Sequence, residues 1–140
     1  MVTAVGANVT RYKVGDRVLS MGASGAFCEK IAANEYAVFP MPQSLSFEQA
    51  AGVSITYFTS YYALKQRANI QPGETLLVLG AAGGVGTTAI ELGKLMGARV
   101  IAAASSQEKL ALCKQLGADE VINYNEVSLK DAVKELTGGK

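Results

Sequence analysis

The part of the sequence that is best suited to bind a ligand is a run of glycines and alanines, Gly80-Ala-Ala-Gly-Gly-Val-Gly86. Because few Cβ atoms shield this backbone, a phosphate could approach its N–H groups closely, and a helix starting here would add partial positive charge. The usual dinucleotide pattern is G-x-G-x-x-G, and here Ala81 stands first, before Gly83 and Gly86. The loop favours phosphate binding, although a tight turn that only allows close helix–sheet packing stays open.

The segments on either side of this loop are those that a phosphate site needs. Residues 76–79 form a continuous aliphatic run, which predicts a strand buried on both faces of a parallel sheet. Apolar residues then recur at helical spacing over residues 85–96, and Gly97 is a typical helix stop. Strand, glycine loop and helix therefore follow in the order that places a helix N-terminus at the loop.

A sequence repeat extends this pattern along the chain. Residues 92–101, L-G-K-L-M-G-A-R-V-I, are echoed by L-C-K-Q-L-G-A-D-E-V-I at residues 112–122. Each copy has a helix end, a glycine stop and a new strand, so we predict strands that begin near Leu76, Arg99 and Glu120. Consecutive βαβ units cross over right-handedly and place both helices on one face of the sheet. This context favours dinucleotide binding over a packing turn.

Residues 102–106, at the end of the second predicted strand, bear on the choice of nucleotide. NAD sites carry Asp or Glu there, and this segment has no acid, so it would not repel a 2′-phosphate. Ser105-Ser-Gln-Glu108 predicts a helix capping box, with Lys109 in the first turn, where a cation opposes the helix dipole unless an anion is near. The pattern favours NADPH over NADH, but Ser105 as a mere cap and Lys109 as a solvated residue stay open.

The composition excludes several classes of partner. The 140 residues are 49% hydrophobic and carry a net charge of +1, so no basic surplus is available to steer nucleic acid or bind anionic lipid. Residues 1–8 lack the pattern of a secretory signal, and glycines interrupt the best candidate for a membrane span. We expect a cytoplasmic globular protein with no nucleic-acid or membrane partner, and Cys28 and Cys113 as buried, reduced thiols.

The absence of histidine limits the chemistry further. Without histidine the chain can form no Ser-His-Asp triad, no Cys-His dyad and no histidine-ligated metal site. Two isolated cysteines cannot make a four-cysteine zinc site, and no carboxylates have the spacing of a catalytic one. We predict no metal site, and chemistry carried by a bound cofactor rather than by a protein nucleophile.

The first forty residues predict β-structure. Residues 9–14 and 17–21 read as extended segments around a glycine turn. Residues 25–33 alternate imperfectly and predict a further strand, with Phe27 and Ile31 pointing inward. The first part of the chain is therefore expected to be antiparallel β-structure.

Two prolines at positions 40 and 42 mark the change to α/β structure, so we place a boundary between domains 1–42 and 43–140. Ser46-Phe-Glu-Gln49 is a capping-box pattern that predicts a helix start. Residues 55–64 predict a second helix, because the residues that follow them are strong helix formers.

Six segments in a fixed order carry a family resemblance: V-G-D-R-V, G-A-F-C-E-K, L-S-F-E-Q-A-A-G, T-Y-F-T-S-Y-Y-A-L, G-A-A-G-G-V-G and V-I-N-Y. Through essentially its whole length the chain resembles the medium-chain dehydrogenase/reductase superfamily. It is most similar to the zinc-independent quinone oxidoreductase (zeta-crystallin-like) branch. The resemblance implies an α/β fold, a partial doubly wound (Rossmann) parallel sheet preceded by a remnant of a GroES-like β-barrel. It also implies NADPH-dependent hydride transfer to a quinone or another α,β-unsaturated carbonyl acceptor.

The same resemblance implies the site residues. The residues that match the family's pyrophosphate loop are Ala82, Gly83, Gly84, Val85 and Gly86. Ser105, Lys109 and Tyr124 match positions around the adenosine 2′-phosphate. Thr59 matches a threonine near the nicotinamide. For Tyr124, packing at a strand end is the alternative role, and no residue is identified as a catalytic proton donor.

The chain also departs from the family pattern. The first part of the barrel and the second half of the doubly wound sheet have no counterpart in these 140 residues, so we expect a piece of a longer enzyme. The strand at residues 76–79 would have an unpaired edge, which favours a homodimer or higher homo-oligomer. An enoyl reductase of the same superfamily and a non-catalytic dinucleotide-binding or assembly domain stay open as alternatives.

Overall fold

The computed structural model describes residues 1–22 and 25–139. It contains two compact units, one from Met1 to Ile55 and one from Thr56 onward. The assignment of residues 1–42 and 43–140 to two domains stays a prediction. Among the described residues, no helix combines the length and the apolar character needed to cross a bilayer.

The first unit contains two short antiparallel strands, β1 (Val18–Ser20) and β2 (Val38–Pro40), with Leu19 opposite Phe39. The extended segment predicted at residues 17–21 is confirmed, because it contains β1. Residues 9–14 and 25–33 lie in no strand, so the further strands predicted there are wrong.

A turn held by local hydrogen bonds lies at the end of residues 9–14. The Asp16 N–H donates to the Lys13 carbonyl (3.1 Å), and the Asp16 carboxylate accepts from the Lys13 N–H (2.9 Å). Short side chain–backbone bonds of this kind compete with a strand ladder. In residues 25–33, Phe27 and Ile31 are exposed rather than inward, and Cys28 is exposed rather than buried.

Helix α1 (Phe47–Tyr61) begins at the predicted capping box. The Gln49 N–H donates to Ser46 Oγ (3.1 Å), and the Ser46 N–H donates to Gln49 Oε1 (2.9 Å). The helical conformation predicted at residues 55–64 is confirmed, but these residues do not form a separate helix, because α1 runs on without a break and then widens into a π-helical turn, Tyr62–Arg67. A lone glycine such as Gly52 costs a helix only about 1 kcal/mol, which does not end it.

The second unit is built on three parallel strands that alternate with helices. Its elements are β3 (Thr75–Leu79), α2 (Gly84–Leu95), β4 (Arg99–Ala104), α3 (Gln107–Gln115), β5 (Glu120–Asn123) and α4 (Leu129–Thr137). Strand β4 lies between β3 and β5. The three predicted strand starts are confirmed, and so is the α/β class, with a small antiparallel pair ahead of a parallel sheet.

Strand β4 is buried on both faces because helices pack on each side of it. Val100 and Ala102 belong to a core cluster that α2 and α3 complete. Ile101 and Ala103 belong to a second cluster, which α4 covers. Since successive strand residues point to opposite faces, the sheet is wound on both sides. The prediction that the first two helices share one face is confirmed.

Strand β3 is covered on one face only. Val78 is buried, whereas Leu77 and Leu79 on the opposite face are 36% and 62% exposed. The prediction that this strand is buried on both faces is therefore wrong. Among the described elements, α4 is the helix on that face. The core cluster that it covers contains residues of β4 and β5 rather than of β3. In the described part of the chain β3 pairs with β4 alone, so its other edge is open, as expected.

The repeat in the sequence corresponds to two helix ends of the same geometry. Gly97 and Gly117 have φ values of +82° and +104°, a region that favours glycine. After α2, the Gly97 N–H donates to the Lys94 carbonyl and the Ala98 N–H to the Gly93 carbonyl, and equivalent bonds follow α3. These pairs of bonds define the Schellman motif, which confirms the predicted glycine stop.

Asp119 joins the end of α2 to the starts of two strands. Its carboxylate accepts hydrogen bonds from Lys94 Nζ (2.7 and 2.8 Å) and from the Val100 N–H (2.6 Å). Hydrogen bonding from Lys94, followed by that from the Val100 amide, holds the pKa of Asp119 below its usual value. Asp119 is therefore an anionic clamp between a helix and the sheet.

The turn from β3 into α2 leaves no room for a side chain at Gly86. A Cβ there would lie 2.6 Å from the Gly80 carbonyl oxygen and 2.7 Å from Ala81 Cα, both backbone atoms. Gly80 itself has a φ of +60°. The turn is tight because these two positions have no Cβ.

We predict that Gly86→Ala lowers the free energy of unfolding by about 1–3 kcal/mol, because the backbone must shift to admit the new methyl group. Urea denaturation measures the change. The matched control is Gly52→Ala in α1, where a Cβ would meet no atom within 4 Å. An alanine that is equally destabilising at both positions would contradict this account of Gly86.

We predict that the stability provided by Asp119 is lost in acid. Because the folded pKa is lowered, this contribution is complete above the unfolded value of about 3.9 and disappears as pH falls through the folded pKa. Asp119→Asn should flatten the fall in melting temperature below about pH 4. Asp131→Asn on the exposed side of α4 is the control, and an equal effect of both variants would refute the clamp.

Candidate functional site

The loop between β3 and α2 lies open to solvent while its two ends are anchored. Gly83 and Gly84 are exposed, and the Val85 side chain is 45% exposed. At one end the Ala81 N–H donates to the Ala103 carbonyl of β4 (3.1 Å). At the other end Gly86 is buried. The middle of the loop therefore has room for a ligand against its backbone.

Backbone N–H groups without partners gather at this loop. Helix α2 begins at Gly84 and has no side-chain cap. Thr87 is the first residue of the helix whose N–H finds an acceptor, the Gly83 carbonyl (2.8 Å). Within residues 1–22 and 25–139, no acceptor is found for the N–H groups of Ala82, Gly84, Val85 and Gly86. Unpaired donors and the positive end of the helix dipole are the features that favour an anion at this surface.

Gly83 differs from its neighbours in the loop. Its N–H donates to the Gly80 carbonyl (2.9 Å) and so faces the protein. A Cβ at Gly83 would lie 3.3 Å from that carbonyl oxygen, and a Cβ at Gly84 would lie 3.1 Å from Thr56 Cγ2. In this conformation Gly83 provides space for a ligand, whereas the donors come from the residues around it.

Ser105 and Lys109 lie side by side at the carboxyl end of β4. Ser106, and not Ser105 as predicted, caps helix α3, since Ser106 Oγ accepts from the Lys109 N–H (3.4 Å). The Ser105 hydroxyl is therefore available to Lys109 Nζ, which donates to it (3.1 Å). The described salt bridges do not include Lys109, so its charge is not neutralised by an acid.

Tyr124 follows β5 at the same edge of the sheet. Its N–H donates to the Ala104 carbonyl (3.2 Å), which places it beside the loop that starts at Ser105. Its side chain is 43% exposed. The structure thus brings Ser105 and Lys109 into direct contact and puts Tyr124 on the neighbouring loop.

Thr59 lies exposed in the last turns of α1, whose other side is bonded to α2. Ser60, 2% exposed, donates to the Val85 carbonyl (2.9 Å) and shares a hydrogen bond with Thr88 Oγ1 (2.8 Å). Thr88 Oγ1 also lies 3.1 Å from the Thr56 carbonyl oxygen. Because Thr88 has a single hydroxyl proton, this carbonyl is an alternative acceptor to Ser60 Oγ. This network fixes the helix that carries Thr59 against the first turn of α2.

Sequence reasoning missed Ser60 and Thr88. The available signal was weak: Thr56 and Ser60 are polar residues one helical turn apart, so they lie on the same face of a helix. Nothing in the sequence pairs them with a threonine 28 residues further on. Such a contact depends on how two helices pack.

Tyr57 makes a second link between α1 and α2. Its hydroxyl donates to Glu91 Oε2 (2.5 Å). The hydrogen bond to the Glu91 carboxylate, together with partial burial, raises the pKa of the Tyr57 phenol. The Tyr57 phenol therefore keeps its proton at neutral pH and donates it in the hydrogen bond to Glu91, which links α1 to α2.

The described residues do not fit a metal site. Over residues 1–22 and 25–139, no three His, Cys, Asp or Glu side chains lie close enough together to hold a metal ion. Cys113 is buried, and burial raises the pKa of its thiol, which keeps it protonated. The absence of a metal from the working protein stays a prediction.

Comparison with known proteins adds a family to this geometry. A family model described as "Zinc-binding dehydrogenase" matches residues 84–140. The matched segment contains a single cysteine, Cys113, and no histidine. The zinc in that description therefore has no ligand set in the matched part of this chain.

Relatives and solved structures agree with that match. Quinone oxidoreductase of Pseudomonas aeruginosa is 43% identical over 140 residues, which are 99% of this chain and 43% of that protein. The crystal structure of Escherichia coli quinone oxidoreductase complexed with NADPH superposes with a TM-score of 0.94 at 37% identity, over 99% of this chain and 43% of that one. The CurK enoyl reductase gives a TM-score of 0.89 at 32% identity, over 98% and 41%.

The chain thus spans about two-fifths of the length of the proteins it matches. Within that span the fold is shared with solved structures that superpose with TM-scores of 0.94 and 0.89. The chain belongs to the medium-chain dehydrogenase/reductase superfamily, in its quinone oxidoreductase branch.

Proposed function

We propose that this chain binds NADPH and serves the NADPH-dependent reduction of a quinone or another α,β-unsaturated carbonyl compound. The observation that carries the proposal is the group of unpaired N–H donors at the exposed start of α2. The likeness to an NADPH-bound quinone oxidoreductase supports it.

The pyrophosphate of the cofactor would lie against the loop of residues 82–86. Ala82, Gly84, Val85 and Gly86 offer N–H donors, and Gly83 offers a surface without a side chain. Phosphate oxygens would satisfy donors that otherwise bond only to water, and they would meet the positive end of α2. No charged side chain is needed for this part of the site.

The 2′-phosphate would be held at the pair formed by Ser105 and Lys109. The ammonium group has three donors, of which one is used on Ser105 Oγ, so two remain for phosphate oxygens. Residues 102–106 contribute no acid that would repel a phosphate or accept from a free 2′-hydroxyl. This arrangement favours NADPH over NADH, with Tyr124 on the adjacent loop as a further contact.

The nicotinamide would lie on the side of Thr59. When bound, NADPH would supply the hydride that reduces the acceptor, and water would supply the accompanying proton. The contribution of this chain is orientation: the Ser60–Thr88 bond holds α1 against α2, so Thr59 and the pyrophosphate loop keep a fixed distance. We propose no proton donor from these residues.

An enoyl reductase is the second candidate activity, and the likeness to the CurK enoyl reductase favours it. It would use the same cofactor residues and differ in the acceptor. A homo-oligomer is also proposed, because the open edge of β3 and the exposed Leu77 and Leu79 would be covered by a second copy.

We predict that the chain binds NADPH more tightly than NADH, which titration of nicotinamide fluorescence measures. Oxidation of bound NADPH by a quinone or by an enoyl thioester, followed by absorbance, then separates the two activities. Binding without oxidation of either acceptor would support a non-catalytic dinucleotide-binding domain. Equal affinity for the two cofactors would contradict the roles of Ser105, Lys109 and Tyr124.

We predict that Lys109→Ala raises the dissociation constant for NADPH about five- to tenfold, a modest change because solvent screens an exposed ammonium. The dissociation constant for NADH should stay within about twofold, since NADH has no 2′-phosphate. Lys130→Ala in the first turn of α4 removes the same charge elsewhere and is the control. If Lys130→Ala weakens NADPH binding as much, general electrostatics rather than a defined contact explains the preference.

A further inference from the structure

The loop after β5 is fastened to the loop after β4 by an amide side chain. Asn125 Nδ2 donates to the Ser105 carbonyl oxygen (2.9 Å), although the two residues are 20 positions apart. The Asn125 N–H donates to Asn123 Oδ1 (3.1 Å), which fixes the start of the Asn125 side chain. The Tyr124 N–H makes a second link to the same strand end through Ala104. Two adjacent residues therefore hold the two loops together.

An acid in the same loop is held away from Lys109. Glu126 Oε1 accepts from Asn123 Nδ2 (2.7 Å), and the Glu126 carboxylate also accepts from Gln107 Nε2 (3.3 and 3.4 Å). Both donors are neutral amides. Among the described contacts, the partner of Lys109 Nζ is the Ser105 hydroxyl, and no salt bridge joins Lys109 to Glu126.

We propose that Asn125 is a positioning residue for recognition of the 2′-phosphate. It acts by holding the Ser105 carbonyl, and it thereby fixes the hydroxyl of Ser105 and the ammonium group of Lys109 in their bonded arrangement. The inference rests on the proposed function, because it assumes that NADPH is the cofactor. Asn125 itself is not assigned a contact with the cofactor.

The geometry gives a reason why the hydrogen bond from Asn125 to Ser105 should matter for binding of NADPH and not for binding of NADH. Ser105 lies at the end of β4, where the strand ladder has ended, so its carbonyl would otherwise bond to water. The pyrophosphate loop is anchored separately, through Ala81 and Ala103. Loss of the Asn125 bond should therefore loosen the 2′-phosphate pair and leave the rest of the cofactor site in place.

The test is Asn125→Ala, titrated with NADPH and with NADH by nicotinamide fluorescence. We expect the dissociation constant for NADPH to rise about three- to tenfold, the range that one hydrogen bond accounts for, with NADH unchanged within about twofold. Gln115→Ala on the exposed side of α3 is the control and should change neither. Displacement of bound NADPH by 2′,5′-ADP, compared with its displacement by 5′-AMP, measures the contribution of the 2′-phosphate on the adenosine half of the cofactor alone.

A double variant shows whether Asn125 works through the pair. If it does, Asn125→Ala combined with Lys109→Ala should weaken NADPH binding by clearly less than the sum of the two single effects, in free energy. Full additivity, an equal loss for NADPH and NADH, or an unchanged preference in Asn125→Ala would each overturn the inference and leave NADPH binding standing. Failure of the unsubstituted chain to bind NADPH would overturn the proposed function, and this inference with it.

Discussion

A Cβ on Gly86 would lie 2.6 Å from the carbonyl oxygen of Gly80, so helix α2 can begin against the end of strand β3 only where that side chain is missing. This close approach keeps the first turn of α2 at the edge of the sheet. The unpaired N–H groups of that turn then lie next to an exposed loop. A ligand that needs several donors and carries negative charge is the natural occupant of such a place.

Strand β4 provides the second constraint, because loops from both neighbouring strands are bonded to its carboxyl end. The Ala81 N–H reaches Ala103, and the Tyr124 N–H reaches Ala104. The residues proposed for the pyrophosphate and those proposed for the 2′-phosphate are thus arranged around one strand end, which is buried on both faces. A rigid central strand therefore sets the spacing of a site that consists mostly of backbone and loops.

The parts of the fold that could be predicted from the sequence are those set by local periodicity and by special residues. The repeat with Gly97 and Gly117 predicted the helix ends and the strands after them, since a residue in the left-handed region is a local requirement. The capping box of α1 could also be predicted, because its two residues, Ser46 and Gln49, lie only three positions apart. The strand predicted at residues 25–33 was wrong because alternation over so few residues does not specify a pairing partner. The roles of Ser105, Lys109 and Tyr124 came from family resemblance, and they stay predictions.

The order of strand, glycine loop and helix, and the absence of an acid after β4, could be read from the sequence because each depends on neighbouring residues alone. The structure was needed to show that Ser106 and not Ser105 caps α3, and that the Ser105 hydroxyl accepts from Lys109 Nζ. It also decided the contact of Asn125 with Ser105, which joins residues 20 positions apart. Hydrogen bonds between distant segments are set by how strands and helices pack, and no local pattern of residue types encodes that packing.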